Sequence, residues 1–202
     1  MECFVLSEVA NMKMKKLLTC GLAFGAGIVL MGASPASADV SSEGEAVNVA
    51  EASEATESSE DLDDSEVALL KDAAAAGDAK AQLVVGVLHL EGSNGFAKDS
   101  DKALYWLTQA AQQNEVDALA MLGAIYLYGE QVAQDYELAN QYLRKAAQKG
   151  HPASQYVYAM MCAAGLGREV NAEEAKVWMN ASADNGDEDA NAFLDEHPDW
   201  LE

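Results

Sequence analysis

Between residues 65 and 194 the apolar positions fall in the three- and four-residue steps of a helical face, with glycine interrupting at regular places. In the run AMLGAIYLYG, residues 120–129, and the alanine two places before it, Ala118, Met121, Leu122, Ile125 and Tyr126 share one face. Gly129 follows as a C-terminal stop. The spacing predicts a helix, and the run lacks the alternation of a half-buried strand. After a short loop Asp135 stands at an N-cap position. Ala139, Tyr142, Leu143, Ala146 and Ala147 then mark the buried face of a second helix, which Gly150 ends. Gly123 is costly inside a helix, by about 1 kcal/mol relative to Ala. A close approach of the two helices accounts for it, with Ala139 as its expected opposite number.

The same pattern recurs. Gly86, Gly123 and Ala159 correspond, as do Gly92, Gly129 and Gly165, at spacings of 37 and then 36 residues. Asp99, Asp135 and Asn171 fall 36 apart, and so do Ala103, Ala139 and Ala175, then Trp106, Tyr142 and Trp178, then Ala111, Ala147 and Ala183. The extra residue of the first unit lies in Ser93-Asn94-Gly95, a turn. A fixed period of this size predicts an all-α architecture, an α/α solenoid of three helix pairs at about 78–114, 115–150 and 151–186. Residues 65–77 and 187–202 read as half-repeat caps, with Asp187, Glu188 and Asp189 favouring the positive end of the last helix. In the third unit Pro152 suits a first helical turn, and Asn171 with Glu174 three residues on resembles a capping box.

AMLGAIYLYGEQVAQDYELANQYLRKAAQKG, residues 120–150, carries Leu-Gly, a Tyr followed three residues later by Gly, then Asp, and Lys-Ala-Ala with Gly. In that order these resemble the Sel-one-like repeat, a relative of the tetratricopeptide repeat. The first unit departs from the pattern at His89, in the tyrosine position, and the third at Tyr158, Ala159 and Cys162. The resemblance implies a right-handed solenoid and an adaptor or scaffold role, in envelope biology, regulation of secreted complexes or host contact. It also leaves an enzymatic alternative, β-lactam binding or hydrolysis, because some cysteine-rich secreted relatives have been linked to it. Those relatives staple their repeats with paired cysteines, and no Ser-x-x-Lys motif stands in this chain.

The N-terminal region changes the picture of where the solenoid works. Met12-Lys13-Met14-Lys15-Lys16 is basic, residues 17–31 are apolar, and Ala36-Ser37-Ala38 is a small-x-small cleavage signal. Residues 1–38 therefore read as a secretory signal peptide, with translation from Met12 and an uncleaved anchor as alternatives. Export to the periplasm or beyond follows. Residues 39–64 read as a disordered acidic linker: eleven acids and no Lys or Arg lie between Asp39 and Glu66, and little there can be buried. Cleavage removes Cys3 and Cys20, leaving Cys162 either as a buried small hydrophobe or as half of an intermolecular disulfide.

The whole chain carries 12 Lys and Arg against 34 Asp and Glu. Nucleic acid is disfavoured as a partner, since it needs clustered basic residues to displace counterions. No zinc-protease, nucleophile-elbow or phosphate-loop motif occurs, and His89, His151 and His197 fall in three different structural roles. The expectation is a monomer without catalytic residues, cofactor or metal, whose partner is a protein or peptide. A second apolar row runs along the first helices: Leu83, Val87 and Leu90; Ala120, Ala124 and Leu127; Tyr156, Met160 and Ala163. Packing between neighbouring first helices explains part of it, and the rest would line a concave groove. There Leu127, Tyr128, Tyr156 and Met160 are the candidate partner contacts. Gly86, Gly92, Gly123, Gly129, Gly150 and Gly165, with Ala103, Ala139 and Ala175, are expected to be structural.

Overall fold

A helix leaves its first N–H groups and last carbonyls without partners, and the repeat supplies a solution at the same place in most of its helices. The computed structural model describes residues 62–200, and over them the chain forms eight α-helices. These are α1 (Asp64–Ala75), α2 (Ala79–Glu91), α3 (Ser100–Gln112), α4 (Val116–Tyr128), α5 (Tyr136–Gln148), α6 (Pro152–Ala164), α7 (Ala172–Asp184) and α8 (Glu188–Glu196). Second helices start on Asp99, Asp135 and Asn171, whose side chains accept from Lys102 N, Leu138 N and Glu174 N at 3.0, 2.9 and 3.0 Å. First helices start on Asp78, His151 and Asp187 in the same way, whereas Glu115, at the head of α4, makes no such bond. Gly92, Gly129 and Gly165 end the first helices in the left-handed region, at φ 76°, 69° and 68°. Gly77, Asn114, Gly150 and Gly186 take positive φ after the second helices; the first unit there uses asparagine, which tolerates the left-handed region.

The pairs α2/α3, α4/α5 and α6/α7 are the three predicted units, and each packs on the next. The helix α1 stands as a second helix without its first, and α8 as a first helix without its second. Ala103, Ala139 and Ala175 are wholly buried. The buried side chains form three clusters along the stack: Val67, Val85, Leu88 and Phe96 at the N-terminal end, Leu107, Leu119, Leu122 and Ile125 in the middle, and Leu143, Val157, Tyr158, Met161 and Met179 where the middle unit meets the third. At the C-terminal end Phe193 closes the core, edge-on to Tyr156 and Trp200 at 6.3 and 5.1 Å and stacked on His197 at 4.6 Å.

Side-chain amides tie successive units together. Gln82, Gln155 and Asn191, at equivalent places on α2, α6 and α8, donate to the carbonyls of Ala74, Ala147 and Ala183 eight residues earlier. Gln113 and Asn185 donate in turn to the side-chain oxygens of Gln82 and Gln155, both at 2.8 Å. In the middle unit Leu119 holds this place and is buried in the core instead.

Three expectations need correction. The close partner of Gly123 is Leu143, not Ala139: a Cβ on Gly123 would lie 2.5 Å from Leu143 Cγ and 3.2 Å from its backbone nitrogen. Residues 62–64 belong to the fold rather than to a linker. Leu62 packs on the first cluster and donates its N–H to Asn94 Oδ1, while Asp63 makes a full capping box with Glu66 that starts α1. At Asn171 the box is only half formed, because Glu174 turns its carboxylate to Arg168 and Tyr158 and the Asn171 N–H donates to the carbonyl of Cys162. The signal peptide and the acidic linker up to residue 61 lie outside the described residues.

Candidate interaction surface

Of the four expected groove contacts, three lie in the interior. Leu127, Tyr156 and Met160 are 3, 3 and 4% exposed, and all belong to the core that joins the middle unit to the third. Tyr128 is half-buried against the same core, with its hydroxyl enclosed and no hydrogen-bond partner. Burial pushes the Tyr128 hydroxyl pKa far above its ordinary value. The reason is the stacking of first helices. Leu83, Val87 and Leu90 on α2 pack against the cluster that contains Leu119, Ala120 and Met121, so the second apolar row joins one unit to the next.

The third unit is where the chain departs most from its own repeat, and the structure gives the physical sense of that departure. In the middle unit Leu122, Tyr126, Val132 and Leu138 occupy four equivalent places, and Tyr126 stacks on Tyr142 at 5.9 Å. The third unit has Tyr158, Cys162, Arg168 and Glu174 there. Its aromatic ring has moved back one helical turn, from the place of Tyr126 to that of Leu122, and Cys162 is small enough to allow it. Tyr158 then meets Trp178 edge-on at 5.7 Å. The move brings a hydroxyl into the core, and a polar group buried there must be bonded. Tyr158 donates to Glu174 Oε1 at 3.0 Å, and Arg168 donates to the Tyr158 oxygen, to Glu174 Oε2 and to Cys162 Sγ.

The charges respond as this geometry requires. The Arg168 guanidinium holds the Glu174 carboxyl below its ordinary range, and Glu174 raises Arg168. Burial pushes the Cys162 thiol and the Tyr158 hydroxyl up, so the thiol stays protonated and poorly nucleophilic near neutral pH. Cys162 is buried and free.

Beside this network a polar cleft of about 400 Å³ opens between α5 and the α6–α7 connection, lined by Asn140, Arg144, Arg168, Val170, Asn171 and Glu174. The connection is clamped to α5: Asn140 donates to the Leu166 carbonyl at 3.3 Å, and a Cβ on Gly167, at φ 67°, would fall 2.2 Å from the backbone oxygen of Tyr136. Only glycine permits that approach. Sequence reading located the departures at Tyr158 and Cys162 but not their compensation; comparing Arg168 and Glu174 with Val132 and Leu138 at the 36-residue period would have found it. Among the described residues no three His, Cys, Asp or Glu side chains gather into a metal site.

Helix pairs stacked at a fixed period and closed by half-unit caps define an α/α-repeat solenoid. The Sel1 repeat model matches residues 79–115, 116–151 and 152–187, and the chain belongs to the Sel1 repeat family. A crystal structure of a Sel1 repeat protein from Oxalobacter formigenes is 32% identical and covers 64% of this chain and 97% of that one, with a TM-score of 0.61. Among curated proteins, NMB1327 of Neisseria meningitidis serogroup B is 34% identical over 43% of this chain, and the chitin synthase regulator SKT5 of Malassezia restricta is 30% identical over 62% of it. The chain spans only 18% and 9% of those two relatives. Sel1 repeats mediate protein–protein interaction, and the fold is typically a non-catalytic scaffold. No helix among the described residues is long and apolar enough to cross a membrane.

Proposed function

We propose that the chain is an exported, non-catalytic protein-interaction module of the bacterial envelope, acting as an adaptor or scaffold. One observation carries the reading. Residues 62–200 are taken up by three helix pairs and two capping helices, so the surface of the stack, rather than an enclosed polar cavity, is where the protein can act. The basic stretch at Met12–Lys16, the apolar residues 17–31 and Ala36-Ser37-Ala38 support export. The regulator SKT5, in which the matching stretch is a small part of a longer chain, supports a role in which the repeats serve another protein's activity.

The test uses the full chain expressed in a Gram-negative host. Periplasmic recovery of a protein whose N-terminus is Asp39 is expected, together with saturable capture of a defined envelope protein and no turnover of a chromogenic β-lactam. Retention of residues 1–38 in the cytoplasm would overturn export, and β-lactam turnover would overturn the non-catalytic reading.

A further inference from the structure

The repeat provides its own control for the cleft beside α5. One unit earlier, the places of Asn140, Arg144, Arg168, Asn171 and Glu174 are held by Leu104, Thr108, Val132, Asp135 and Leu138. There Leu104 and Val132 pack against the middle core, so the junction is closed by apolar contact. In the third unit the same junction carries an amide and a guanidinium on α5 and a guanidinium and a carboxylate across from them, and it stands open. Replacing an apolar junction by an open polar one forgoes burial, and such local departures from repeat consistency point to function.

The chain has two arginines, Arg144 and Arg168, and both line this cleft. They are not in the same situation. Arg168 is held by Tyr158 and Glu174 and builds the wall. Arg144 is exposed and makes no ion pair among the described residues, although acids outnumber bases 34 to 12 in the chain. Its planar fork matches a carboxylate in two parallel hydrogen bonds. Glu169 and Glu174 also line the cleft and offset the two cations, so a free small anion gains little there. A carboxylate delivered on a protein gains more, because Val170 in the cleft wall is 65% exposed and offers apolar contact beside it.

We propose that the cleft between α5 and the α6–α7 connection is a docking site for an acidic side chain of a protein partner, with the Arg144 guanidinium as its ligand and Val170 as the flanking apolar contact. The proposal rests on the interaction-module reading and locates its contact on the second-helix side of the third unit. The partner's acid is set in an otherwise neutral or basic surface, since a partner as acidic as this chain would be repelled.

The probe is the peptide acetyl-Val-Glu-Val-amide, titrated at low ionic strength into the ¹⁵N-labelled chain, with acetyl-Val-Gln-Val-amide as control. Saturable shifts are expected at the Arg144 Nε–H and the Val170 and Asn171 amides, with apparent affinity about tenfold higher for the Glu peptide. Arg144→Gln should abolish the difference while leaving the melting temperature unchanged, since Arg144 makes no hydrogen bond or ion pair among the described residues. Equal response to both peptides, an unaffected Arg144→Gln variant, or shifts scattered over the lysines would overturn the proposal. Failure of the peptide titration alongside saturable capture of an envelope protein removes the cleft and keeps the module; the converse keeps the cleft and removes the module.

Discussion

Gly123 on α4 sits so close to Leu143 on α5 that a methyl group added to the glycine would lie 2.5 Å from Leu143 Cγ. The first unit repeats this with Gly86 and Leu107, at 2.8 Å. The third has Ala159 and Met179 in the two places. An unbranched Cγ leaves the room that a Cβ requires, so the pair has changed together. Gly123→Ala should therefore destabilise the chain by about 1 to 2 kcal/mol, because overpacking costs more than the roughly 1 kcal/mol that helix propensity returns. Adding Leu143→Met should recover most of the loss. Urea unfolding of the two single variants and the double variant measures the coupling; additive effects would show that the contact is not tight.

Leu119 stands where Gln82 and Gln155 reach back to a carbonyl of the preceding unit. Leu119→Gln can make the same bond to the Ala111 carbonyl, so it should cost less than Leu119→Ala, for which about 2 to 5 kcal/mol is expected. Gln155→Ala should cost about 1 to 3 kcal/mol through the partners it leaves behind. Thermal unfolding of the three variants ranks them, and a Leu119→Gln variant weaker than Leu119→Ala would show that the amide cannot reach.

Much of this was legible in the sequence because the period is strict. The helix pairs, their caps and the half units at both ends followed from glycine, aspartate and alanine spacing alone. What spacing could not supply was which way a row faces. Leu127, Tyr156 and Met160 fit a groove and an inter-unit core equally well by pattern, and the tight stacking of first helices decides for the core. Leu143 was missed as the partner of Gly123 because small residues were matched to small. A buried leucine reaching over a bare glycine fills the same space.

His151 caps α6 by accepting the Ser154 N–H at Nδ1, which it can do only while that nitrogen carries no proton. Burial holds its pKa below the ordinary 6.5, against the pull of Asp117, 3.7 Å from Nε2, and of Asp187. The unfolded chain therefore takes up the proton first, and stability falls as the pH drops from about 6.5 toward the folded value. Asn caps without titrating, so His151→Asn should flatten the loss between pH 7.5 and 5.5. Equal slopes of urea midpoint against pH in parent and variant would remove His151 as the cause.

The Tyr158, Arg168 and Glu174 network replaces an apolar set, and that makes its parts unequal to its whole. Removing Glu174 alone, as in Glu174→Leu, leaves Arg168 and the Tyr158 hydroxyl without their acceptor beside the core; the pair is about a quarter exposed, so a loss of about 1 to 2 kcal/mol is expected. Exchanging all four residues for the middle unit's set, Tyr158→Leu with Cys162→Tyr, Arg168→Val and Glu174→Leu, removes both charges and the hydroxyl at 158, and returns the aromatic ring to the place from which Tyr126 stacks on Tyr142 at 5.9 Å, here facing Trp178. That chain should be at least as stable as the parent in urea, because well-packed apolar replacements of buried ion pairs are commonly neutral or stabilising. If the fourfold variant is instead weaker than Glu174→Leu, the network contributes stability in its own right. Retention of the parent's stability would mean that the polar set is kept for the open cleft it creates beside Arg144.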